Sequence, residues 1–131
     1  MVEFPGGGEG YMIVTDSMLM HENYLYTSAL DTPAKYPGGE QGLNLYIKKN
    51  LRYPEAAIKN GTQGRVMIRF IVEKNGRLTN VAAVRGIGDG CDEEAVRLVK
   101  KTARWIPGKI HNIPVRTEFV IPVAFNLPEN N

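Results

Sequence analysis

The run Gly86-Ile87-Gly88-Asp89-Gly90 is the stretch of this sequence that looks most like reactive machinery, because glycine-rich turns between a strand and a helix can cradle a pyrophosphate. Its spacing does not fit. A G-x-G-x-x-G fingerprint begun at Gly86 would need its third glycine at Cys91, and Asp89 and Asp92 would repel the anion. His21 and His111 are the only histidines, with no Cys/His cluster or H-E-x-x-H spacing, so they read as surface side chains and no metal or other cofactor is expected. Cys91 is the single cysteine and cannot form an intramolecular disulfide. It lies just ahead of an acidic helix start, where it can staple onto Val96, so it reads as a buried structural thiol. Trp105, beside Pro107-Gly108, reads as a hydrophobic lid over helix and sheet, and Lys100, Lys101 and Arg104 as a basic helix end favoured by the helix dipole. No catalytic constellation emerges, so a non-enzymatic role is expected.

Composition points the same way. With 131 residues, 43% of them hydrophobic and 23% charged, one ordinary globular domain is expected. The net charge of +2 comes from 16 basic and 14 acidic side chains spread along the chain, without the dense Lys/Arg stripe that marks nucleic-acid binding. Nothing approaches the roughly 18 consecutive apolar residues of a membrane span. The first residues also lack a basic region followed by an apolar run.

The elements that must position any site begin at Tyr36. Residues 1–33 read as an N-terminal arm or extra strand, with a glycine run at Gly6-Gly7-Gly8 and an apolar stretch from Tyr11 to Val14. Glu3-Phe4-Pro5-Gly6-Gly7 faintly echoes Lys35-Tyr36-Pro37-Gly38-Gly39. Residues 34–131 carry regular punctuation. Leu43, Tyr46 and Ile47 share one face of a helix expected over Glu40–Asn50, which Tyr53-Pro54 interrupts. A second short helix carries Ala56, Ala57 and Ile58 and should stop at Asn60-Gly61. Arg65 to Glu73 alternates cleanly, and Asn75-Gly76 predicts a two-residue type I′ turn into a returning strand over Leu78–Arg85. Asp92 reads as the N-cap of a helix to about Lys101. The last strand, Val115 to Phe125, turns Val115, Thr117, Phe119, Ile121, Val123 and Phe125 to the core.

Pro122 sits inside that last strand. Proline cannot donate to a ladder and is tolerated in sheets at an edge, a strand start or a bulge, so this strand is expected at the sheet's border. The fold expected is α+β, a three-stranded antiparallel sheet with helices packed on one face. Its outer strand, over about Val115–Ile121, would then offer unpaired main-chain groups to a guest strand. Such edges can also pair with themselves, which makes a homodimer by edge pairing or strand exchange possible.

Pro37-Gly38-Gly39, Tyr53-Pro54, Ala57, Gly61, Gly64-Arg65-Val66, Asn75-Gly76 and Trp105-Ile106-Pro107-Gly108-Lys109 form an ordered set that resembles the C-terminal domain of TonB energy transducers. The resemblance covers about Lys35 to Leu127, and its aromatic-Pro-Gly-Gly opening is similar to variants found in Bacteroidetes-type bacteria. It implies a periplasmic domain, tethered through the inner membrane of a Gram-negative bacterium, that captures the TonB box of outer-membrane transporters by strand addition beside its last strand. On that resemblance the partner-binding residues are Asn50, Leu51, Arg52 and Tyr53 ahead of the second helix, with Val115, Arg116, Thr117, Glu118, Phe119, Val120 and Ile121 in the last strand. Arg116, Glu118 and Val120 alternate away from the core and would discriminate partners, and Arg52 could pair with an acidic one. A sensory or adaptor domain of the same fold, on another envelope protein and without energy transduction, is the competing expectation.

Overall fold

The computed structural model describes residues 25–26 and 30–128, together with the main chain of Val2–Glu3 and Tyr11–Met12. The expectations placed on Gly6 to Gly8, on Val14 and on His21 lie outside the described residues. In chain order the elements are β1 (Val2–Glu3), β2 (Tyr11–Met12), β3 (Leu25–Tyr26), α1 (Gly39–Asn50), α2 (Glu55–Asn60), β4 (Gly64–Val72), β5 (Leu78–Arg85), α3 (Cys91–Lys100), β6 (Lys109–Ile110), β7 (Ile113–Pro114) and β8 (Arg116–Phe125). The main sheet has four strands in the order β3-β8-β4-β5. The expected three antiparallel strands, β8, β4 and β5, are present, but the last strand is not the outermost as expected, because a fourth strand flanks it. The fourth, β3, runs parallel to β8, with Leu25 opposite Arg116 and Tyr26 opposite Thr117. β1–β2 and β6–β7 form two separate two-stranded pairs.

Period-two alternation decides which face is covered. Val66, Ile68, Phe70 and Val72 on β4, with Ile121, Val123 and Phe125 on β8, are buried beneath the helices. Ala95, Leu98 and Val99 of α3 close on them with Ala57 of α2, and Leu43, Tyr46 and Ile47 of α1 pack against this core. Each fully buried Leu, Ile or Phe side chain contributes about 1.5–3 kcal/mol by leaving water. The lid at Trp105 is 3% exposed, with its ring edge-on to Phe70 and to Tyr36 and its Nε1 donating to Thr102 Oγ1 at 3.0 Å. A smaller cluster of Ile110 and Val115, packed by Tyr26, Leu30 and Ile113, fastens the chain around β3 to the start of β8.

The local signals have physical outcomes. Gly61 closes α2 in the left-handed region, φ 68°, as the Asn60-Gly61 pair predicts. The β4–β5 turn is not the two-residue type I′ form, since that form requires positive φ at both central residues and of Asn75 and Gly76 only Gly76 has it, φ 84°. The Gly76 amide donates to the Glu73 carbonyl and the Glu73 amide to the Arg77 carbonyl, both at 2.8 Å. This is a type I turn over Lys74-Asn75 followed by a glycine bulge. Asn75 Oδ1 accepts from the Arg77 amide at 3.0 Å, which favours the shift.

Asp92 does not cap α3 from outside. The helix starts one residue earlier, at Cys91, with Gly90 at the N-cap position. The Asp92 carboxylate instead accepts the amides of Ile87 at 2.8 Å and Gly88 at 3.3 Å. The glycine-rich loop thus spends its donors on its own aspartate. Cys91 is fully buried, and desolvation raises its thiol pKa.

Candidate protein-docking edge

The border strand is built by an unbroken antiparallel register that runs from Val72 opposite Thr117 to Gly64 opposite Phe125. Pro122 lies inside it, opposite Met67. A residue with no N–H fits such a ladder only at a non-hydrogen-bonded position, where the main chain points away from the paired strand. The same parity holds for Glu118, Val120 and Ala124. Their N–H and C=O groups, with the C=O of Pro122, face the outer flank, while Thr117, Phe119, Ile121, Val123 and Phe125 bond to β4.

That flank is divided. At Arg116 and Thr117 it is covered by β3, so β8 is bordered by its own chain on both sides there. Val115 is held as well, its amide donating to the Gly108 carbonyl at 2.9 Å. Beyond Glu118 no other strand among the described residues pairs with the outer flank. The unpaired main chain therefore lies C-terminal to much of the stretch Val115–Ile121 expected from the sequence. The first three residues of that stretch are occupied, and the open length runs from Glu118 through Ala124, with Pro122 costing it one donor.

A groove of about 350 Å³ lies alongside the open stretch. Phe119 to Pro122 form one wall, Leu43 and Ile47 of α1 the other, and Trp105 with Tyr36 contributes to the lining. Gly39 lines it too, where the Gly39 amide donates to the Tyr36 carbonyl at 2.7 Å as α1 begins. Lys35 and Glu40 bring opposite charges to the same groove. Unpaired main chain beside an apolar slot can accept an extended peptide by ladder bonds while receiving its alternate side chains.

Strand and linker residues proposed from the sequence land in different places. Val115, just before β8, and Thr117 and Ile121 on it are buried, Phe119 is half-buried against the groove, and Val120 is exposed. Arg116 donates through Nε to Glu73 Oε1 at 2.7 Å, and this hydrogen bond is the chief reason the Glu73 carboxyl sits below the ordinary carboxylate range. Glu118 is half-buried on the outer sheet face, opposite Ile71.

The linker before α2 turns toward α3. Arg97 Nη2 donates to the Asn50 carbonyl at 3.3 Å, and Asn50 Nδ2 to the Tyr46 carbonyl at 2.8 Å. The Arg52 amide donates to Glu94 Oε2 at 2.6 Å, leaving its side chain exposed. Leu51 packs on the core, and Tyr53 stands edge-on to Phe125 with its hydroxyl donating to the Thr62 carbonyl. Tyr53 meets β8 at its far end. Burial works to raise the Glu94 carboxyl, but the Arg97 guanidinium and the Arg52 amide outweigh it and hold it low.

The arrangement has counterparts among known proteins. The family model described as Gram-negative bacterial TonB protein C-terminal matches residues 49–127, more than half of the chain. The chain belongs to the TonB C-terminal domain family. Its structural neighbours agree on the fold. Two solution structures of the Helicobacter pylori TonB C-terminal domain superpose with TM-scores of 0.52 and 0.54, at 24% and 25% identity. The first, residues 179–285 of that protein, is covered over 81% of its length, and the second, residues 194–285, over 95%, each by 69% of this chain. A comparison with curated proteins returned no match.

Within this TonB-type domain two parts of the border escape sequence reasoning. β3 is a two-residue pair whose partner lies most of the chain's length away, and nothing local at Leu25-Tyr26 announces it. The groove wall on α1 was visible only as a core stripe, since Leu43 and Ile47 pack on the core and line the slot together. Among the described residues no group of three or more His, Cys, Asp or Glu is placed to hold a metal, and no helix is long and apolar enough to cross a membrane.

Proposed function

We propose that this TonB-type domain binds an extended segment of an outer-membrane transporter, the TonB box, by strand addition at the outer flank of β8, in the periplasm of a Gram-negative cell. The observation that carries the reading is the open border from Glu118 through Ala124, with its main chain turned outward beside an apolar groove. Val120 and Ala124 supply donors there, and Glu118, Val120, Pro122 and Ala124 supply acceptors. Each ladder bond contributes about 0.5–1.5 kcal/mol net, and a guest must lose conformational freedom to form them, so capture is weak and reversible. The domain acts by binding and not by catalysis.

The test is a pull-down of outer-membrane proteins, paired with titration by TonB-box peptides monitored through backbone amide shifts. Wild-type protein should retain transporters and show shifts at Glu118–Ala124. Val120→Pro removes an outward donor without touching the β4 ladder and should weaken both by several-fold. Shifts confined to residues 50–53, or full binding by Val120→Pro, would count against this site.

A further inference from the structure

The open sheet face next to this border carries uncompensated positive charge. Arg65, Met67 and Arg69 alternate with the buried residues of β4 and so point away from the helices, and Arg85 joins them as the direct neighbour of Met67 on β5. All three arginines are exposed, and none has a hydrogen bond or ion pair to another described residue. Two carboxylates share the face. Glu73 is engaged by Arg116 and Thr79, and Glu118 lies at the β3 end of the border.

Side-chain size makes this charge available to a guest strand. Arg69 stands opposite Val120 and Arg65 opposite Ala124, with Met67 opposite Pro122 between them. A strand added to β8 would lie two spacings from β4, about 10 Å, and only the short side chains of Val120, Pro122 and Ala124 would intervene. A guanidinium extended across Val120 or Ala124 and a carboxylate extended from the guest can meet over that distance. The guest's opposite face meets the groove and must be apolar.

Resting on the strand-capture reading above, we infer that the domain selects a guest strand with acidic side chains four residues apart. One is seated beside Val120 for Arg69 and the other beside Ala124 for Arg65, with apolar residues between them. An acid beside Glu118 is disfavoured by like charge. The partner is thus an extended peptide of the pattern acid-apolar-apolar-apolar-acid, and Arg65 and Arg69 are its specificity-determining residues.

Three synthetic peptides test this, identical except at the two positions seated beside Val120 and Ala124, which carry Glu, Gln or Lys. Titrated against the whole chain, the Glu peptide should bind about three- to tenfold more tightly than the Gln peptide and the Lys peptide more weakly than either, since exposed pairs contribute little each. The preference should shrink as ionic strength rises from about 0.03 to 0.3 M. It should vanish or reverse in Arg65→Glu/Arg69→Glu, with the Gln peptide unaffected. Equal affinity of the Glu and Gln peptides for the wild type, or a preference that survives charge reversal, overturns the inference and leaves strand capture standing. Failure of all three peptides to bind removes both. Dimerisation of the free protein that is lost in the charge-reversed variant would give the face to a second copy of the chain and overturn the inference as well.

Discussion

Pro122 lies directly opposite Met67 in a ladder that continues without a break on either side of it. That pairing fixes the direction of every main-chain group along β8, and neighbouring positions should therefore respond oppositely to proline. Val120→Pro faces the outer flank and should leave the unfolding free energy within about 1 kcal/mol of wild type, whereas Ile121→Pro removes a β4 ladder bond and should cost about 3 kcal/mol or more. Urea denaturation of the two variants checks this. Equal losses would show the parity to be wrong.

Gly76 should be intolerant of any side chain. Its φ of 84° is unfavourable for other residues, and a Cβ there would collide with the Trp105 carbonyl oxygen. The Trp105 amide donates to the Gly76 carbonyl at 2.9 Å, so the hairpin turn and the tryptophan cannot separate cheaply. Gly76→Ala should destabilise the domain by roughly 2–4 kcal/mol and blue-shifted tryptophan emission should be lost at a lower denaturant concentration.

Acid should weaken the fold in part through Glu73, whose pKa is lowered chiefly by its hydrogen bond from Arg116, and Thr79 also donates to it. A carboxyl lowered in the folded state stabilises fully above its unfolded value, about 4.3, and loses that contribution as pH falls through the lower folded value. The urea midpoint should fall below about pH 4.3, and Glu73→Gln should flatten that part of the profile. An unchanged slope in the variant would show that Arg116 does not depend on the charge of Glu73.

Tyr26→Pro should lengthen the unpaired flank of β8. β3 covers Arg116 and Thr117, and proline at Tyr26 removes the amide that a parallel neighbour presents to β8. A peptide long enough to reach Arg116 should bind the variant more tightly than wild type by a few-fold, while a peptide confined to Val120–Ala124 should bind both alike. Calorimetric titration with the two lengths separates these outcomes.

Local chemistry made the centre of the fold legible. The alternation at Val66 to Val72, the stop at Asn60-Gly61 and the apolar stripe at Ala95, Leu98 and Val99 each act over a few residues, and each stands within a residue of its expected place. Pro122 pointed to an edge strand, but β3 flanks the start of β8, and the outer side is unpaired among the described residues only beyond it. Contributions from distant segments were not legible. Leu25-Tyr26 reaches Arg116-Thr117 from the far end of the chain, and Arg65, Arg69 and Arg85 form one surface only after two strands have paired. The Asn50–Arg52 linker, placed at the partner site by resemblance, has its polar main chain spoken for by Glu94 and Arg97.

The parallel pairing of β3 with β8 also bears on the order of events in folding. Closing it demands the longest loop of any pairing in the main sheet, for the gain of two residues' contacts, so it should zip last and open first. Amides at the start of β8 should then exchange with solvent by brief local openings, long before the β4 ladder yields. A latch that loosens on its own in this way leaves the domain free to accept a longer ligand without unfolding anything else.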